Sequence, residues 1–405
     1  MYDFVVVGAG PAGSRFARSA SQGGRDVLVL ESGEVGRPLA CSGHVSLDVW
    51  EFVPDDARPE LFQNDIYGAR FHLGGGADQR EAPEGRAGGA ERRHASREAD
   101  RREASERASG RSERRERRHA SQDGYAFYKN QPVSNAIDRV GLDETLAECA
   151  ADAGAEVRDG HTVTRVEEGS GGVTVTARGP DGTETFGGRI VVGADGPRSK
   201  VREAVGLPEP DELLHGVLGF DDAPDHRDHV DVHLTVPRFF AWRIPRGDAG
   251  VEYGLAVAPG DDAPSRFDAL LSEYGVDVDE RCSGAIPIGP PDRTVGRRSL
   301  LVGDAAAQTK PFTGGGILYG MRAADVAARE VDPRQPATLD DYEQAWRAEL
   351  RRDQRLGHLI RAGYSMPRPV QKAGLRAFSG EIGVHMDRPT SLFSRAQLRA
   401  LLSWG

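Results

Sequence analysis

The chain has 405 residues, 38% of them hydrophobic and 28% charged, with a formal net charge of −11. At about 100–200 residues per domain this length allows two or three domains, and the acidic balance argues against a nucleic-acid partner because phosphate contacts need clustered Lys or Arg. No apolar run approaches the roughly 18 residues that span a bilayer, and no basic stretch followed by an apolar one opens the chain, so we expect a cytoplasmic protein without a transmembrane helix.

The N-terminal part reads as a βαβ unit with a dinucleotide fingerprint. An apolar strand at residues 4–7 leads into Gly8, Gly10 and Gly13, which form the pattern GxGxxG. Gly8 permits a tight turn, Gly10 lets the backbone approach a pyrophosphate, and Gly13 lets the following helix pack against the strand. The helix N-terminus favours an anion, and Glu31, which closes the second strand, can accept hydrogen bonds from ribose hydroxyls. The spacing predicts a dinucleotide site.

Residues 76–122 differ from the rest of the chain in composition. They contain no Val, Ile, Leu, Met, Phe, Trp, Tyr, Cys or Lys, and they hold 13 Arg against 10 Asp and Glu, whereas the remaining residues have a net charge of −14. Such a stretch cannot bury enough apolar area to offset the entropy lost on ordering. We interpret it as a disordered insert or a spurious, misread stretch, and a basic arm for anionic lipid or nucleic acid is the alternative.

Two further strand–turn motifs extend the predicted site beyond what the ADP half of a dinucleotide requires. Residues 189–202 (RIVVGADGPRSKVR) read as a strand, a turn with Asp195, and a helix. Residues 298–317 (RSLLVGDAAAQTKPFTGGGI) supply a third strand that leads to Asp304, followed by the glycines 314–316. A domain that binds only NAD needs neither motif, whereas an acid can bind ribityl hydroxyls and bare backbone can lie against a flavin ring. The three motifs together predict FAD.

The remaining regions indicate a β-rich domain followed by helices. The alternation in residues 229–236 places His229 and His233 on an exposed strand face, and since no carboxylate or third His is suitably spaced, we expect no metal site. The predicted fold class is α/β, a two-domain α+β flavoprotein with a Rossmann-type FAD domain, a β-rich substrate domain and a C-terminal helical region. The predicted boundaries are 1–70, 123–205 and 301–341 for the FAD-binding parts, 76–122 for the insert, 206–300 for the substrate domain and 342–405 for the helical region.

The motifs GAGPAG, GADGPRS and GDAA resemble those of FAD-dependent aromatic hydroxylases, flavin halogenases and geranylgeranyl reductases. Residues 303–317 (GDAAAQTKPFTGGGI) are similar to the archaeal geranylgeranyl reductases in particular, since hydroxylases and halogenases typically carry a P-x-x-G-Q-G-type loop there. Residues 237–245 (PRFFAWRIP) resemble the family's P-x-x-Y-x-W-x-F-P signature, with Phe240 where Tyr is usual, and CSG at residues 41–43 matches its Cys-containing turn. The resemblance covers almost the whole chain except 76–122.

The resemblance also implies which residues contact the flavin. Carried over by position, these are Ala12, Glu31, Cys41, Ser42, Gly43, Arg139, Val163, Asp304, Gly316 and Ile317. Arg139 opens a predicted helix and could reach the pyrophosphate, or it could form a surface ion pair. Val163 would line the adenine pocket through its backbone, or it belongs to the sheet core. Gly315 and Gly316 would bring bare N–H groups to the ring, where the dipole of the next helix stabilises the anionic reduced form.

On the substrate side, the resemblance implies reduction of isolated C=C bonds in the geranylgeranyl chains of archaeal membrane ether lipids or their polyprenyl precursors. Phe239, Phe240, Trp242 and Pro245 are expected to line a tunnel for such a chain, the alternative being ordinary core aromatics. An isolated alkene has no carbonyl to polarise, so we expect hydride delivery from reduced flavin to one carbon and a proton to the other. Cys41 is the candidate catalytic residue, as a proton source or as a packing contact, with water or the flavin as other donors.

The expected partners follow from this substrate. They are a polyprenyl lipid, an electron donor such as reduced ferredoxin, NAD(P)H or another reductant, and a peripheral membrane surface. Residues 392–405 (LFSRAQLRALLSWG) predict an amphipathic helix that either docks on the protein or lies on a membrane. Two other functions stay open, a flavin-dependent monooxygenase or halogenase of the same fold and a non-catalytic, membrane-associated electron carrier.

Overall fold

The computed structural model describes residues 1–39, 41–74 and 124–378, so the predicted insert at 76–122 and the predicted helix at 392–405 lie outside it. Its strands, in chain order, are β1 (Tyr2–Val7), β2 (Val27–Leu30), β3 (His44–Ser46), β4 (Phe62–Ile66), β5 (Gly68–His72), β6 (Gly124–Tyr128), β7 (Ser134–Ile137), β8 (Glu156–Arg158), β9 (Thr162–Glu168), β10 (Val173–Gly179), β11 (Gly182–Gly193), β12 (Glu212–Asp221), β13 (His229–His233), β14 (Ala241–Pro245), β15 (Val251–Val257), β16 (Arg281–Ile288) and β17 (Ser299–Leu301). Its α-helices are α1 (Pro11–Gln22), α2 (Arg58–Leu61), α3 (Arg139–Asp152), α4 (Lys200–Ala204), α5 (Ala263–Tyr274), α6 (Ile317–Glu330), α7 (Leu339–Ala362) and α8 (Arg368–Phe378).

The first sheet is the predicted Rossmann-type layer. Its strand order is β8-β2-β1-β11-β10-β9, with β17 paired to β11. Strands β8, β2, β1, β11 and β17 run parallel to one another, whereas β10 is antiparallel to both β11 and β9. All four residues of β2 are buried, as expected for a parallel strand that is covered on both faces. Helix α1 crosses from β1 to β2 and packs with α6 in one core, which includes Phe4, Phe16, Tyr319 and Trp346.

The second sheet is the predicted β-rich layer, but it draws on more of the chain than the predicted substrate domain. Its order is β16-β12-β15-β14-β13-β5-β6. Strand β5 lies parallel to β13, and β6 pairs with β5 in antiparallel register. The sequence assigned these two strands to the FAD-binding parts, yet both complete the edge of the second sheet. Residues on either side of the insert therefore contribute to the layer that faces the cavity described below.

The expectation of an exposed face at His229 and His233 is wrong. The two residues are 7% and 4% exposed, because the ring of His229 lies beside Tyr128 of β6 and helix α5 covers His233. The ring of His233 lies with Nε2 at 2.7 Å from the hydroxyl oxygen of Tyr274 on α5. Burial lowers the pKa of His233 to about 4, helped by the neighbouring His72, so its ring is neutral at pH 7. The face that carries these rings is the back of the sheet, away from the cavity.

A third, small sheet of order β3-β7-β4 fixes the chain around Cys41. The backbone N–H of Ile137 on β7 donates to the carbonyl of Gly43, at 2.9 Å. A Cβ on Gly43 would lie 2.3 Å from the carbonyl oxygen of Ile137, so only glycine allows this close approach. The turn that precedes β3 is thereby held against the start of α3.

Candidate active site

One cavity of about 1160 Å³ lies between the first and second sheets. Three segments named from here on border it: the nucleotide loop (residues 8–13), the cysteine turn (residues 41–43) and the triple-glycine loop (residues 314–316). The first residues of three helices also line it, Pro11 of α1, Arg139 of α3 and Ile317 of α6. Because unpaired N–H groups and the helix dipole make each N-terminus favourable for negative charge, the cavity suits an anionic ligand on this side.

The nucleotide loop has the steric pattern that the fingerprint predicted. Gly8 has φ of 100°, and a Cβ on Gly13 would lie 2.0 Å from the carbonyl oxygen of Gly8. These two residues shape the loop and do not line the cavity. Gly10 lines the cavity, and a Cβ there would meet no atom within 4 Å. The space beside Gly10 is therefore open to a ligand that approaches the backbone. Ala12, the second residue of α1, also lines the cavity.

Glu31 is tied to the nucleotide loop. Its Oε2 accepts a hydrogen bond from Ala9 N at 2.7 Å, and its Oε1 accepts one from Ser32 N at 2.8 Å. The carboxylate thus fixes the loop from the end of β2. Val163 on β9 is 8% exposed and packs in the core of the first sheet, and contact of its backbone with an adenine ring stays a prediction.

Arg139 is a buried cation on the cavity wall. It is 7% exposed, and its Nη1 lies 2.5 Å from Oδ1 of Asp143, which is 8% exposed. The alternative of a surface ion pair is therefore wrong, because the pair lies inside the protein. Burial lowers the pKa of Arg139, but Asp143 and Cys41 outweigh this and raise it above its usual range. The Nε of Arg139 is buried and has no hydrogen-bond partner among the described residues, so it can donate to a ligand.

Cys41 lies beside this cation, and it lines the cavity together with Ser42. Burial raises the pKa of the Cys41 thiol, although Arg139 lowers it in part. The protonated thiol is therefore the form expected at neutral pH. A second cysteine, Cys282 on β16, lines the cavity from the second sheet, and no sequence motif indicated that position.

Asp304 and the triple-glycine loop form the next part of the wall. A Cβ on Gly316 would lie 2.4 Å from Oδ1 of Asp304, and one on Gly315 would lie 2.9 Å from Cε of Lys310. The loop is closed by a hydrogen bond of 2.8 Å from Gly314 N to the carbonyl of Lys310. The glycines therefore let the loop pass directly over two charged side chains, both of which line the cavity.

The titration of Asp304 makes a testable prediction for the flavin-free protein. Burial raises its pKa from 3.8 to about 6, although Arg139 lowers it in part. Since the folded state binds this proton more tightly than the unfolded chain does, the free energy of unfolding falls as pH rises from about 4 to about 6. Asp304→Asn removes that loss, so at pH 7 it should stabilise the flavin-free protein by about 2–3 kcal/mol. Urea unfolding between pH 4 and 8 measures this, and a difference from wild type that does not vary with pH contradicts it.

Apolar side chains of the second sheet form the opposite wall. This apolar wall includes Val217, Val230, Val232, Phe240, Trp242 and Ile286. Phe240 stacks on Phe239, with ring centroids 4.5 Å apart, and meets Trp242 edge-on at 5.9 Å. Phe239 is fully buried behind Phe240, and Pro245 is buried at the end of β14. Of the four predicted lining residues, Phe240 and Trp242 border the cavity, whereas Phe239 and Pro245 do not.

The C-terminal helices close the end of the cavity. Tyr364 follows α7 and lines the cavity, and its hydroxyl donates to the carbonyl of Phe312 at 2.8 Å. Its ring meets Phe240 edge-on, with centroids 5.8 Å apart. Met366 and Val370 also line the cavity, although they are 47% and 50% exposed. The cavity therefore reaches the surface at an apolar rim between α7 and α8.

Two charged residues of this region were missed from the sequence. Lys310 is 5% exposed within the glycine-rich motif, and Glu252 is 1% exposed on β15. The amino-acid sequence contains a feature that could have indicated each of them. Lys310 is one of four lysines in the chain, and Glu252 interrupts the otherwise apolar run VEYGLAV.

Comparison with known proteins identifies the family. The chain matches a family model described as an FAD binding domain over residues 86–255. Digeranylgeranylglycerophospholipid reductase 1 of Methanopyrus kandleri is 30% identical over 381 residues, which cover 86% of this chain and 87% of the relative. The chain belongs to the digeranylgeranylglycerophospholipid reductase family. Digeranylgeranylglycerophospholipid reductase 2 of the same organism is 28% identical over 377 residues, covering 86% of this chain and 83% of the relative. The predicted family and the predicted cofactor, FAD, are confirmed.

Solved structures confirm the predicted fold class of this family member. A geranylgeranyl bacteriochlorophyll reductase-like protein from Thermoplasma acidophilum superposes with a TM-score of 0.74 at 19% identity, covering 99% of this chain and 95% of that one. p-Nitrophenol 4-monooxygenase from Pseudomonas putida superposes with a TM-score of 0.64 at 16% identity, covering 99% and 96%. At these sequence identities the similarity concerns the fold alone. The same fold occurs in a reductase-like protein and in a monooxygenase.

The cavity of this digeranylgeranylglycerophospholipid reductase family member fits FAD. The space beside Gly10 can take the pyrophosphate at the start of α1, and the unpaired Nε of Arg139 can donate to it. Asp304 can accept from ribityl hydroxyls, beside a loop that glycine keeps free of side chains. Among residues 1–39, 41–74 and 124–378, no cluster of three His, Cys, Asp or Glu side chains could hold a metal ion. Within the same residues no helix is both long and apolar enough to cross a membrane.

Proposed function

We propose that this protein is an FAD-dependent reductase that saturates isolated C=C bonds in the geranylgeranyl chains of archaeal glycerophospholipids or their polyprenyl precursors. The observation that carries the proposal is one continuous cavity that joins the flavin-facing segments to the apolar wall and opens at an apolar rim. An isoprenoid chain offers almost nothing to hydrogen-bond, so its binding depends on apolar burial of this kind. The named activity of the relatives, reduction of digeranylgeranylglycerophospholipids, supports the same substrate class.

FAD, when bound and reduced, supplies the hydride. The chain's own residues bind and orient the reactants. Arg139 and the start of α1 would hold the pyrophosphate, and Asp304 would hold the ribityl chain. Lys310 and the start of α6 lie beside the triple-glycine loop, where positive charge and the helix dipole stabilise negative charge on the reduced ring. The apolar wall holds the alkene against the ring and excludes water.

The proton that completes the reduction comes, in this proposal, from the Cys41 thiol. Burial raises its pKa above the usual range, so the thiol carries its proton at neutral pH. The cysteine turn lines the cavity beside Arg139, and that cation stabilises the thiolate left after proton transfer. Water then returns the proton through the open rim.

The rim between α7 and α8 is proposed to meet an anionic membrane surface. Residues 350–376 hold seven Lys and Arg against one Asp, in a chain whose net charge is −11. Leu359, Met366 and Val370 are 70%, 47% and 50% exposed there, and all three border the cavity. Exposed apolar side chains among basic ones are typical of peripheral contact with anionic lipids. A lipid chain could then enter the cavity without crossing water.

One anaerobic assay tests the reductase and its membrane-facing rim. The FAD-loaded protein, with dithionite as reductant, is mixed with vesicles that contain an unsaturated geranylgeranyl ether phospholipid. The masses of the lipid products are then measured by mass spectrometry. We expect mass gains in steps of two hydrogens, and none with dithionite alone. Leu359→Glu should slow the reaction on vesicles by about tenfold or more, since inserting one leucine is worth about 1.5–3 kcal/mol, and it should slow the reaction on a detergent-dispersed substrate much less.

Two outcomes contradict these proposals separately. A product that gains oxygen only when air is admitted would make the protein a monooxygenase and exclude the reductase. Wild-type rates for Leu359→Glu on both substrates would leave the reductase intact and remove the proposed membrane contact.

A further inference from the structure

Glu252 is a buried carboxyl group that the proposed chemistry does not use. It lies on β15 between Val251 and Tyr253, which are 2% and 2% exposed, and it is itself 1% exposed. Burying a carboxylate costs several kcal/mol unless hydrogen bonds replace the lost water. Among the described residues it forms no salt bridge within 4.0 Å, although Arg246 attracts it from farther away. Its hydrogen bonds must therefore account for its presence.

Those hydrogen bonds come from both sides of the active-site cavity. Oε1 accepts from Trp242 Nε1 at 2.8 Å, and Oε2 accepts from Gly43 N at 3.2 Å. The hydroxyl of Ser42 is a third partner of the same carboxyl group. Trp242 belongs to the apolar wall, whereas Ser42 and Gly43 belong to the cysteine turn. Burial raises the pKa of Glu252, and the hydrogen bonds from Ser42, Trp242 and Gly43 oppose that rise.

Two of these partners of Glu252, Trp242 and Gly43, are also fixed by close backbone contacts. A Cβ on Gly254 would lie 2.3 Å from the indole ring of Trp242, so the ring lies flat on β15. On the other side, Gly43 lies against the carbonyl oxygen of Ile137. Glu252 therefore joins two segments that close backbone contacts also hold in place.

We propose that Glu252 is a positioning residue that sets the separation between the cysteine turn and Trp242, and hence between the flavin ring and the alkene. It sits behind the two walls and does not border the cavity, so it acts through Ser42, Gly43 and Trp242. This inference rests on the proposed reductase function for its effect on turnover, but the link between the two walls is a property of the chain itself.

The chemistry of the site makes Glu252→Gln the diagnostic substitution. Trp242 and Gly43 both present N–H donors to the carboxyl group, and only a carboxylate offers an acceptor oxygen to each. Glutamine has the same shape but one oxygen, so its NH₂ group must face one of the two donors. We expect kcat for lipid saturation to fall by about 10-fold to 100-fold, as for a displacement of about 1 Å, while KM and the affinity for FAD change less than about threefold.

A spectroscopic measurement separates this role from a general loss of stability. The indole ¹⁵N–¹H resonance of Trp242, assigned by its absence in Trp242→Phe, should shift in Glu252→Gln, and the visible absorbance of bound FAD should change with it. Glu280→Gln, an exposed carboxyl of the same domain, should change neither. In a double-mutant cycle, Glu252→Gln and Trp242→Phe should be non-additive in kcat, because one acts through the other.

Each outcome decides the proposal. Wild-type turnover with an unshifted indole resonance overturns it, and so does a loss of turnover that follows only from loss of FAD. If Glu252→Gln does not fold, Trp242→Phe alone decides, since it removes one donor and must lower kcat without releasing FAD. If the wild-type protein saturates no lipid, the reductase proposal fails, and the indole resonance with the FAD absorbance still decides whether Glu252 links the two walls.

Discussion

Replacing Gly316 with alanine is expected to abolish FAD binding while leaving the protein folded. The new Cβ would lie 2.4 Å from Oδ1 of Asp304 and 3.0 Å from Cγ2 of Thr309. Thr309 is held by its hydroxyl, which donates to the carbonyl of Pro287, so the side chain that yields is Asp304. Once rotated away, that carboxylate no longer faces the ribityl position and instead occupies space that the cofactor needs. Titration with FAD, followed by quenching of flavin fluorescence, measures the loss.

Gly187→Ala is the matched control for this substitution. Gly187 lies on β11, and a Cβ there would meet no atom within 4 Å, so that variant should bind FAD as the wild type does. Circular dichroism and thermal unfolding of both variants exclude a general folding defect. Undiminished FAD affinity in Gly316→Ala would show that the triple-glycine loop does not border the ribityl chain.

Motifs whose residues are required by local geometry could be predicted from the sequence. The tight turn at Gly8 and the close approach of Gly13 to the carbonyl oxygen of Gly8 are local features, and both are present. Phe240 and Trp242 of the family signature at residues 237–245 border the cavity, and their contact with a lipid chain stays a prediction. The signature did not distinguish Phe239, because neighbouring residues of the signature loop face different sides, and the sequence does not show where the chain turns.

Features that depend on distant partners could not be predicted. His233 is buried by Tyr274, a residue of helix α5 that is 41 positions away, and an alternating strand looks the same whether or not a helix covers it. Glu252 accepts a hydrogen bond from Gly43, 209 positions away. β5 and β6 pair with each other across residues 76–122, whose composition gave no sign that their flanks are strand neighbours.

Arg139 combines a feature that could be predicted from the sequence with one that could not. Its place at the start of α3 was predicted from the sequence, but the sequence did not decide whether it contacts a ligand or forms a surface ion pair. The partner, Asp143, is one helical turn away and was visible in the sequence at the i, i+4 spacing. Only the packing of α3 against the cysteine turn shows that the pair is buried, and burial changes how much the pair affects the free energy of unfolding. An exposed pair contributes about 0–1 kcal/mol, whereas breaking a buried pair leaves an uncompensated charge.

Arg139→Met is therefore expected to have two separable effects. With its cation removed, Asp143 remains 8% exposed without a counter-charge, which should lower the free energy of unfolding by about 3–5 kcal/mol. Adding Asp143→Asn removes that charge and should restore most of the stability. It should not restore FAD affinity, because no cation then faces the pyrophosphate at the start of α1. Urea unfolding and FAD titration of wild type, the single variant and the double variant measure both effects. Wild-type FAD affinity in the stable double variant would show that Arg139 serves only as the partner of Asp143.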